Sequence, residues 1–212
     1  MYYLKIIKTL PLLRTLLASL VMAALIFSAG PIQAHPHVFI ESSLAVVFNK
    51  NGIKGIEQQW TFDEFFSSWV IDEYDKNRDG KFSQEETDHL FQEAFKNLKN
   101  YGYWTRVFQG TNEHPIEKVE NFTVSVSDNM VTYSFFMPLD LKLSRQSGQN
   151  EVFIAVYDED FYCQIFFPPR VVELNGAVDE WSIEQDTVEM EDLTYYFGFV
   201  TPVAVRLSIN PL

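Results

Sequence analysis

Residues 37–48 (HVFIESSLAVVF) decide the fold of this chain. Apolar and polar side chains alternate along this segment, and a period of two is typical of a strand with one buried face. Residues 49–52 (NKNG) form a turn signal, and residues 53–61 (IKGIEQQWT) have strand composition as well. The predicted buried face of the first strand consists of Val38, Ile40, Leu44, Val46 and Phe48. The segment therefore predicts a β-hairpin.

The hydrophobic period then changes from two to that of a helix. Residues 63–74 (DEFFSSWVIDEY) carry apolar side chains at helical spacing, with Thr61 or Asp63 available as the N-cap. Residues 83–99 begin with a capping-box pair and continue with one apolar stripe. The sequence therefore predicts two helices joined by a short acidic loop.

Strand patterns dominate the remainder of the chain. They occur at residues 103–109, 116–127, 130–137, 151–157 and 162–167, with a closing strand predicted at 197–208. The acidic residues 179–192 lack a clear period and are interpreted as a surface excursion. We expect a mostly β fold, an antiparallel β-sandwich, with a helix–loop–helix inserted at residues 63–99.

Composition limits the class of protein. The chain has 212 residues, 47% of them hydrophobic, which is enough for one core and excludes intrinsic disorder. The formal net charge of −13 argues against a nucleic-acid partner, because phosphate binding needs a surplus of Lys and Arg. One Cys excludes an intramolecular disulfide framework and a multi-Cys zinc module.

Residues 1–34 have the layout of a secretory signal peptide. Basic residues precede an apolar stretch at 15–28, and a polar segment then leads to the small residue Ala34. The alternative is an uncleaved membrane anchor, but the apolar run is shorter than the ~20 residues that a spanning helix needs. We expect cleavage after Ala34, a single mature domain of residues 35–212 that does not span a membrane, and a periplasmic location.

Residues 75–86 (DKNRDGKFSQEE) match the twelve-residue calcium loop of an EF-hand. Gly80 stands at position 6, where the chain must turn sharply, and the closing acid stands at position 12. The predicted oxygen donors are the side chains of Asp75, Asn77, Asp79, Ser83 and Glu86 and the main-chain carbonyl of Lys81. The alternative is a solvated acidic turn. Because no second loop occurs in the chain, we expect a structural calcium rather than a switch.

His35 and His37 form a second constellation at the predicted mature terminus. In an extended segment their side chains point to the same side, and cleavage would add the α-amine of His35 as a further nitrogen donor. Imidazole and amine nitrogens suit zinc, copper or nickel rather than calcium. Asp158 and Asp160 are candidates for the remaining ligands. The alternative is that His-Pro-His is a polar lead into the first strand.

The motifs HPHVFIE, WTFDEFF, DKNRDGKFSQEE, FKNLKNYGYWT and VYDEDFY together resemble a bacterial family of exported proteins of unknown function. Members are labelled periplasmic components of an uncharacterised ABC-type transport system. They are commonly encoded beside permeases of the nickel/cobalt transporter type, and some are linked to zinc acquisition. The resemblance covers most of residues 35–168 and implies a transition-metal role for His35 and His37 and an EF-hand-like role for residues 75–86.

These observations lead to one expected function and two alternatives. We expect a periplasmic metal-binding accessory protein of a zinc, or nickel or cobalt, transport system, with a membrane permease as partner and a structural calcium. The chain has no nucleophile motif, phosphate loop or dinucleotide fingerprint, so we expect no enzymatic activity. The alternatives are a copper-dependent oxidase with an N-terminal histidine brace and a calcium-stabilised interaction module.

Overall fold

The first hairpin forms as the alternation of side chains predicts. In the computed structural model, which describes Ser19 and residues 36–146, 150–169 and 172–212, strands β1 (Val38–Asn49) and β2 (Gly52–Phe62) pair antiparallel. Buried residues alternate with more exposed ones along the whole of β1. Gly52 lies at a φ of +148°, and a Cβ there would come within 2.2 Å of the Leu141 carbonyl oxygen. The hairpin end therefore requires glycine.

Two helices follow the hairpin, α1 (Glu64–Tyr74) and α2 (Gln84–Glu93). The prediction of a helix to residue 99 is wrong, because α2 ends at Glu93 and residues Phe95–Trp104 form short 3₁₀ turns. The apolar stripe continues through these turns, since a 3₁₀ turn also brings residues three apart onto one side. Positive φ angles at Gly102, Tyr103 and Trp104 then redirect the chain into the next strand.

Nine further strands lie in the described part of the chain. They are β3 (Thr105–Gln109), β4 (Asn112–His114), β5 (Glu120–Ser127), β6 (Met130–Lys142), β7 (Asn150–Val156), β8 (Cys163–Phe166), β9 (Val172–Gly176), β10 (Trp181–Glu189) and β11 (Val203–Pro211). The interpretation of residues 179–192 as a surface excursion is wrong for most of that segment. β10 pairs along its full length with β11.

The strands form two sheets that enclose one hydrophobic core. The first sheet has the order β5-β6-β2-β1-β8, with β9 also paired to β1, and the second has the order β10-β11-β7-β3-β4. Buried side chains of both sheets belong to the same core cluster, among them Ile56 and Trp60 of β2 and Ile154 of β7. The predicted β-sandwich is confirmed, and β8 and β9 add two parallel pairings to β1.

A buried polar bridge joins the two sheets beside the helical insertion. The Gln58 side-chain amide donates to the Ser42 hydroxyl at 2.9 Å, and the Gln58 side-chain carbonyl accepts from the Thr105 hydroxyl at 3.1 Å. All three side chains are at least 97% buried. Because Thr105 begins β3 of the second sheet, this contact fixes where the chain re-enters the sandwich after the insertion.

The insertion also has a fixed position on the first sheet. The buried Ser67 hydroxyl of α1 donates to the Phe62 carbonyl at 3.2 Å and accepts from the Val131 N–H of β6 at 2.9 Å. Within the described ranges, no helix is long and apolar enough to cross a membrane. The predicted signal peptide and its cleavage site lie outside the described residues, apart from Ser19.

Candidate functional site

The loop at residues 75–86 is closed at both ends by helix caps. The Asp75 N–H donates to the Ile71 carbonyl at 3.0 Å and ends α1. Ser83 is the N-cap of α2, and with Glu86 it forms the capping box that the sequence predicts. The first predicted calcium donor, Asp75, is therefore anchored at the end of α1, and the last, Glu86, is anchored in the first turn of α2.

Side chains at the odd positions of the loop bind its main chain. Asp75 Oδ2 accepts from the Gly80 N–H at 2.8 Å, Asn77 Oδ1 accepts from the Asp79 N–H at 2.8 Å, and Asp79 Oδ1 accepts from the Lys81 N–H at 2.9 Å. Gly80 lies at a φ of +76° with open space around the position of a Cβ. The glycine is therefore required by the backbone conformation rather than by crowding.

The Glu86 carboxylate folds back over the start of the loop. Its Oε1 accepts from the Lys76 N–H at 2.9 Å, and its Oε2 accepts from the Ser83 N–H at 2.9 Å and the Ser83 hydroxyl at 2.7 Å. These bonds favour the charged carboxylate, so they lower the pKa of Glu86, and the Ser83 hydroxyl has the largest effect. The closing acid of the loop is thus held ionised.

The donor set and the backbone of this loop fit calcium. Carboxylate, amide and carbonyl oxygens at these spacings, a positive φ at the sixth position and a flanking helix on each side are the features that a calcium loop needs. Among the described residues, no three His, Cys, Asp or Glu side chains lie close enough together to hold a metal ion.

His37 lies beside the turn at residues 158–163. The main-chain N–H of His37 donates to the Tyr162 main-chain carbonyl at 2.8 Å, and the centroids of the two side-chain rings are 5.0 Å apart. The register of β1 with β8 continues this contact, since Val38 pairs with Cys163 in a parallel arrangement. The structure thus brings His37 next to the turn that contains Asp158 and Asp160. His35 lies outside the described residues.

Asp158 and Asp160 occupy different environments in this turn. Asp158 is 6% exposed, and its two oxygens accept from the Asp160 N–H at 3.2 Å and the Cys163 N–H at 2.9 Å. Its carboxylate therefore shapes the turn, whereas Asp160 is exposed. Of the two carboxylates, Asp160 is the one that is accessible to an ion.

Asp63 connects the first hairpin to the helical insertion. Its Oδ1 accepts from the Phe65 and Phe66 N–H groups at 2.9 and 3.0 Å, which makes it the N-cap of α1. Its Oδ2 accepts from the Phe39 N–H of β1 at 2.8 Å. This carboxylate holds the start of β1, and with it His37, in a fixed relation to α1.

An aromatic cavity of about 370 Å³, which no sequence motif predicts, opens next to the turn at residues 158–163. Its walls come from β1, β2, α1, β6, the 3₁₀ turns and the 158–163 turn, so its members are scattered along the chain. The signal in the sequence was the concentration of aromatic residues in WTFDEFFSSW and YGYW. Sequence alone does not place those two segments together.

Cys163 borders the cavity as an inert thiol. Burial, together with a smaller effect of the negative charges of Asp158 and Asp63, raises its pKa to about 12. The residue is 6% exposed and begins β8. The thiol stays protonated at neutral pH and is a poor nucleophile and a poor metal ligand.

Comparison with known proteins gives a family but no activity. The model of the DUF1007 family, described as a protein of unknown function, matches residues 20–195. An uncharacterised 15.5 kDa protein of Spirochaeta aurantia is 28% identical over 146 residues, covering 67% of this chain and 99% of the relative. An uncharacterised protein of Haemophilus influenzae is 24% identical over 147 residues, covering 68% of each chain. With most of its length matched, the chain belongs to the DUF1007 family.

Proposed function

We propose that this protein is an exported accessory of a transition-metal transport system that binds zinc, or nickel or cobalt, and carries a structural calcium. The observation that carries the proposal is the contact of His37 with the turn of Asp158 and Asp160. The His37 ring lies against the Tyr162 ring, two residues along the chain from the exposed Asp160. The resemblance to proteins encoded beside nickel/cobalt-type permeases supports a membrane permease as the partner.

The proposed transition-metal site uses His37 and Asp160 from the described residues. His35 and its α-amine, freed by signal-peptide cleavage, would supply further nitrogen donors. Asp158 acts indirectly, because its two hydrogen bonds to the Asp160 and Cys163 N–H groups hold the turn in place. A site at an exposed edge with few protein ligands suits a metal that must be released to a partner.

The proposed calcium role is to stabilise the helical insertion. α1 and α2 carry Val70 and Leu90 into the core, and the loop between them contains three predicted acidic donors. An ion that binds Asp75, Asp79 and Glu86 would offset their mutual repulsion and join the two helix ends. A single loop without a partner loop favours this structural role over a calcium switch.

Calorimetry on the processed protein tests the transition-metal site. We expect zinc or nickel binding by the wild type and loss of that binding in the double variant His35→Ala/His37→Ala, while the calcium response stays intact. His89→Ala is the matched control, because His89 is an exposed histidine on α2. Affinity should also fall on acidification, since a ligating imidazole must be deprotonated.

Equal zinc and nickel affinities in the wild type and the double variant would contradict the N-terminal site. Copper-dependent oxidation of a substrate with peroxide, lost in the same variant, would favour the oxidase alternative. Cells with the double variant should grow under zinc or nickel limitation as poorly as cells that lack the protein. Normal growth of such cells would separate metal binding from delivery to a permease.

Thermal unfolding with and without calcium tests the loop. Calcium should raise the melting temperature of the wild type by mass action, and Glu86→Gln should weaken this rise because it removes the closing carboxylate. Glu85→Gln is the matched control, since Glu85 is the adjacent, exposed acid of the same helical turn. An unchanged wild-type melting temperature at millimolar calcium would reduce the loop to an acidic turn.

A further inference from the structure

The walls of the aromatic cavity consist mainly of aromatic side chains. Within its volume of about 370 Å³, most lining side chains are aromatic rings, several of them half-exposed at the opening. A cavity of roughly 300–1,000 Å³ with mainly apolar walls and a few polar groups is the usual form of a small-molecule site. The lining includes the rings of Phe66, Trp69, Tyr74, Tyr101, Trp104 and Tyr162.

The charges at the cavity have a single sign. Asp158 and Asp160 line it, and its described lining contains no Lys, Arg or His. Asp158 is 6% exposed and has no ion-pair partner among the described residues. Its hydrogen bonds come from main-chain N–H groups alone. A low-dielectric wall with two carboxylates strengthens the attraction for a positive charge.

The rings are held in place by packing and by the backbone. Trp69 meets Tyr74 edge-on at 6.1 Å between centroids, and Trp104 stacks on the buried Trp60 at 5.3 Å. Trp104 has a φ of +53°. Non-glycine residues with this conformation are found where the surrounding structure holds them and often border ligand sites. The walls are thus preformed.

We propose that this cavity binds a small organic cation of the quaternary ammonium class. The face of an aromatic ring carries negative electrostatic potential and attracts a weakly hydrated cation, and alkyl groups on the nitrogen fill the apolar space. Asp160 and Asp158 balance the charge. A neutral apolar ligand would gain the contacts with the rings but not the attraction to the carboxylates.

This site is separate from the proposed metal site. His37, on which the metal proposal depends, contacts the Tyr162 ring but does not line the cavity. Asp160 borders both, so transition metals are first removed with a chelator, and the titration is then carried out in buffer that contains calcium but no transition metal. Failure of cation binding therefore leaves the metal proposal unaffected, and the reverse also holds.

Calorimetry with choline and with its neutral isostere 3,3-dimethylbutan-1-ol tests the inference on the full mature chain. We expect saturable binding of choline and at least about tenfold weaker binding of the alcohol, because the two differ only in the charge of the central atom. Asp160→Asn should weaken choline binding about fivefold or more. Asp179→Asn, at an exposed acid outside the cavity, should leave it unchanged.

A second variant separates the ring from the apolar volume. Trp69→Leu keeps an apolar side chain at a half-exposed position, and its fold is checked by circular dichroism and melting temperature. It should weaken choline binding about tenfold and affect the alcohol less. Equal binding of the charged and neutral ligands, or no saturable binding of either choline or tetramethylammonium by the wild type, would overturn the proposal.

Discussion

The calcium-type loop and the aromatic cavity are encoded in opposite ways. Every hydrogen bond that shapes the loop joins residues no more than ten positions apart in the sequence. The largest separation is that between the Lys76 N–H and Glu86 Oε1. The cavity instead combines Trp60, Trp104 and Asp158, which belong to different parts of the fold. A local motif can be predicted from a single sequence, whereas a site built from distant segments can be located only when the pairing register of the strands is known.

The two regions also differ in what stabilises them. The loop depends on charged oxygens that accept hydrogen bonds from its own main chain, so its stability should respond to pH and to calcium. The cavity depends on close contacts between rings, so it should respond to the loss of side-chain volume. Three substitutions test this contrast, beginning with the one that should have the largest effect.

Phe95→Ala should destabilise the cavity region by about 3–5 kcal/mol. Phe95 is 2% exposed, and its ring lies 4.4 Å from that of Phe122 and 5.0 Å from that of Phe135. Urea unfolding measures the loss, with Phe197→Ala as control, because Phe197 is 91% exposed and should change stability by no more than ~0.5 kcal/mol.

If the loop is a local unit, the stabilisation of the Phe95→Ala variant by calcium should match that of the wild type. Similar costs for Phe95→Ala and Phe197→Ala would contradict the central position of Phe95 in the packing. A lost calcium response in the folded variant would contradict the independence of the two regions.

The sequence predicted the helices and most strands from local signals and missed strands, such as β10, that lack a hydrophobic period. β1, α1 and the capping box at Ser83 follow from alternation, helical period and side-chain type. β10 was missed because almost all of its side chains are at least partly exposed, and main-chain pairing with β11 holds it in the sheet. Hydrophobic periodicity carries no information about such an edge strand.

The candidate sites divide in the same manner. The calcium donors from Asp75 to Glu86 could be predicted from spacing and stay a prediction, and the contact of His37 with the 158–163 turn shows only that the two segments meet. The aromatic cavity could not be assigned, because the parallel pairing of β1 with β8 brings Tyr162 beside the first strand. No local pattern in either strand specifies that pairing.

Asp63→Ala should have an intermediate effect, because this residue has one local and one long-range role. Loss of the N-cap of α1 costs about 1 kcal/mol, and loss of the bond to the Phe39 N–H adds to it, for a total of about 2 kcal/mol. Asp63→Asn should lower the free energy of unfolding by less than Asp63→Ala does, since asparagine is also a good N-cap. Equal losses in the two variants in urea unfolding would show that the negative charge, rather than the cap, is what matters.

The smallest expected effect is a pH dependence confined to the loop. The hydrogen bonds to Glu86 lower its pKa below the ordinary value of 4.5, with the Ser83 hydroxyl as the first cause. A group with a lowered folded-state pKa contributes stability that is complete above its unfolded-state pKa and is lost as the pH falls through the folded-state pKa.

In calcium-free buffer, the melting temperature of the wild type should therefore exceed that of Glu86→Gln at neutral pH. The gap should narrow as the pH falls below about 4.5. The difference in melting temperature between Ser83→Ala and Glu86→Gln should narrow less over the same pH range, because Ser83→Ala removes the largest cause of the lowered Glu86 pKa. The melting temperature of the control Glu85→Gln should follow that of the wild type at every pH. A gap between wild type and Glu86→Gln that stays constant from neutral pH to acid would mean that the Glu86 hydrogen bonds favour the charged carboxylate no more than water does.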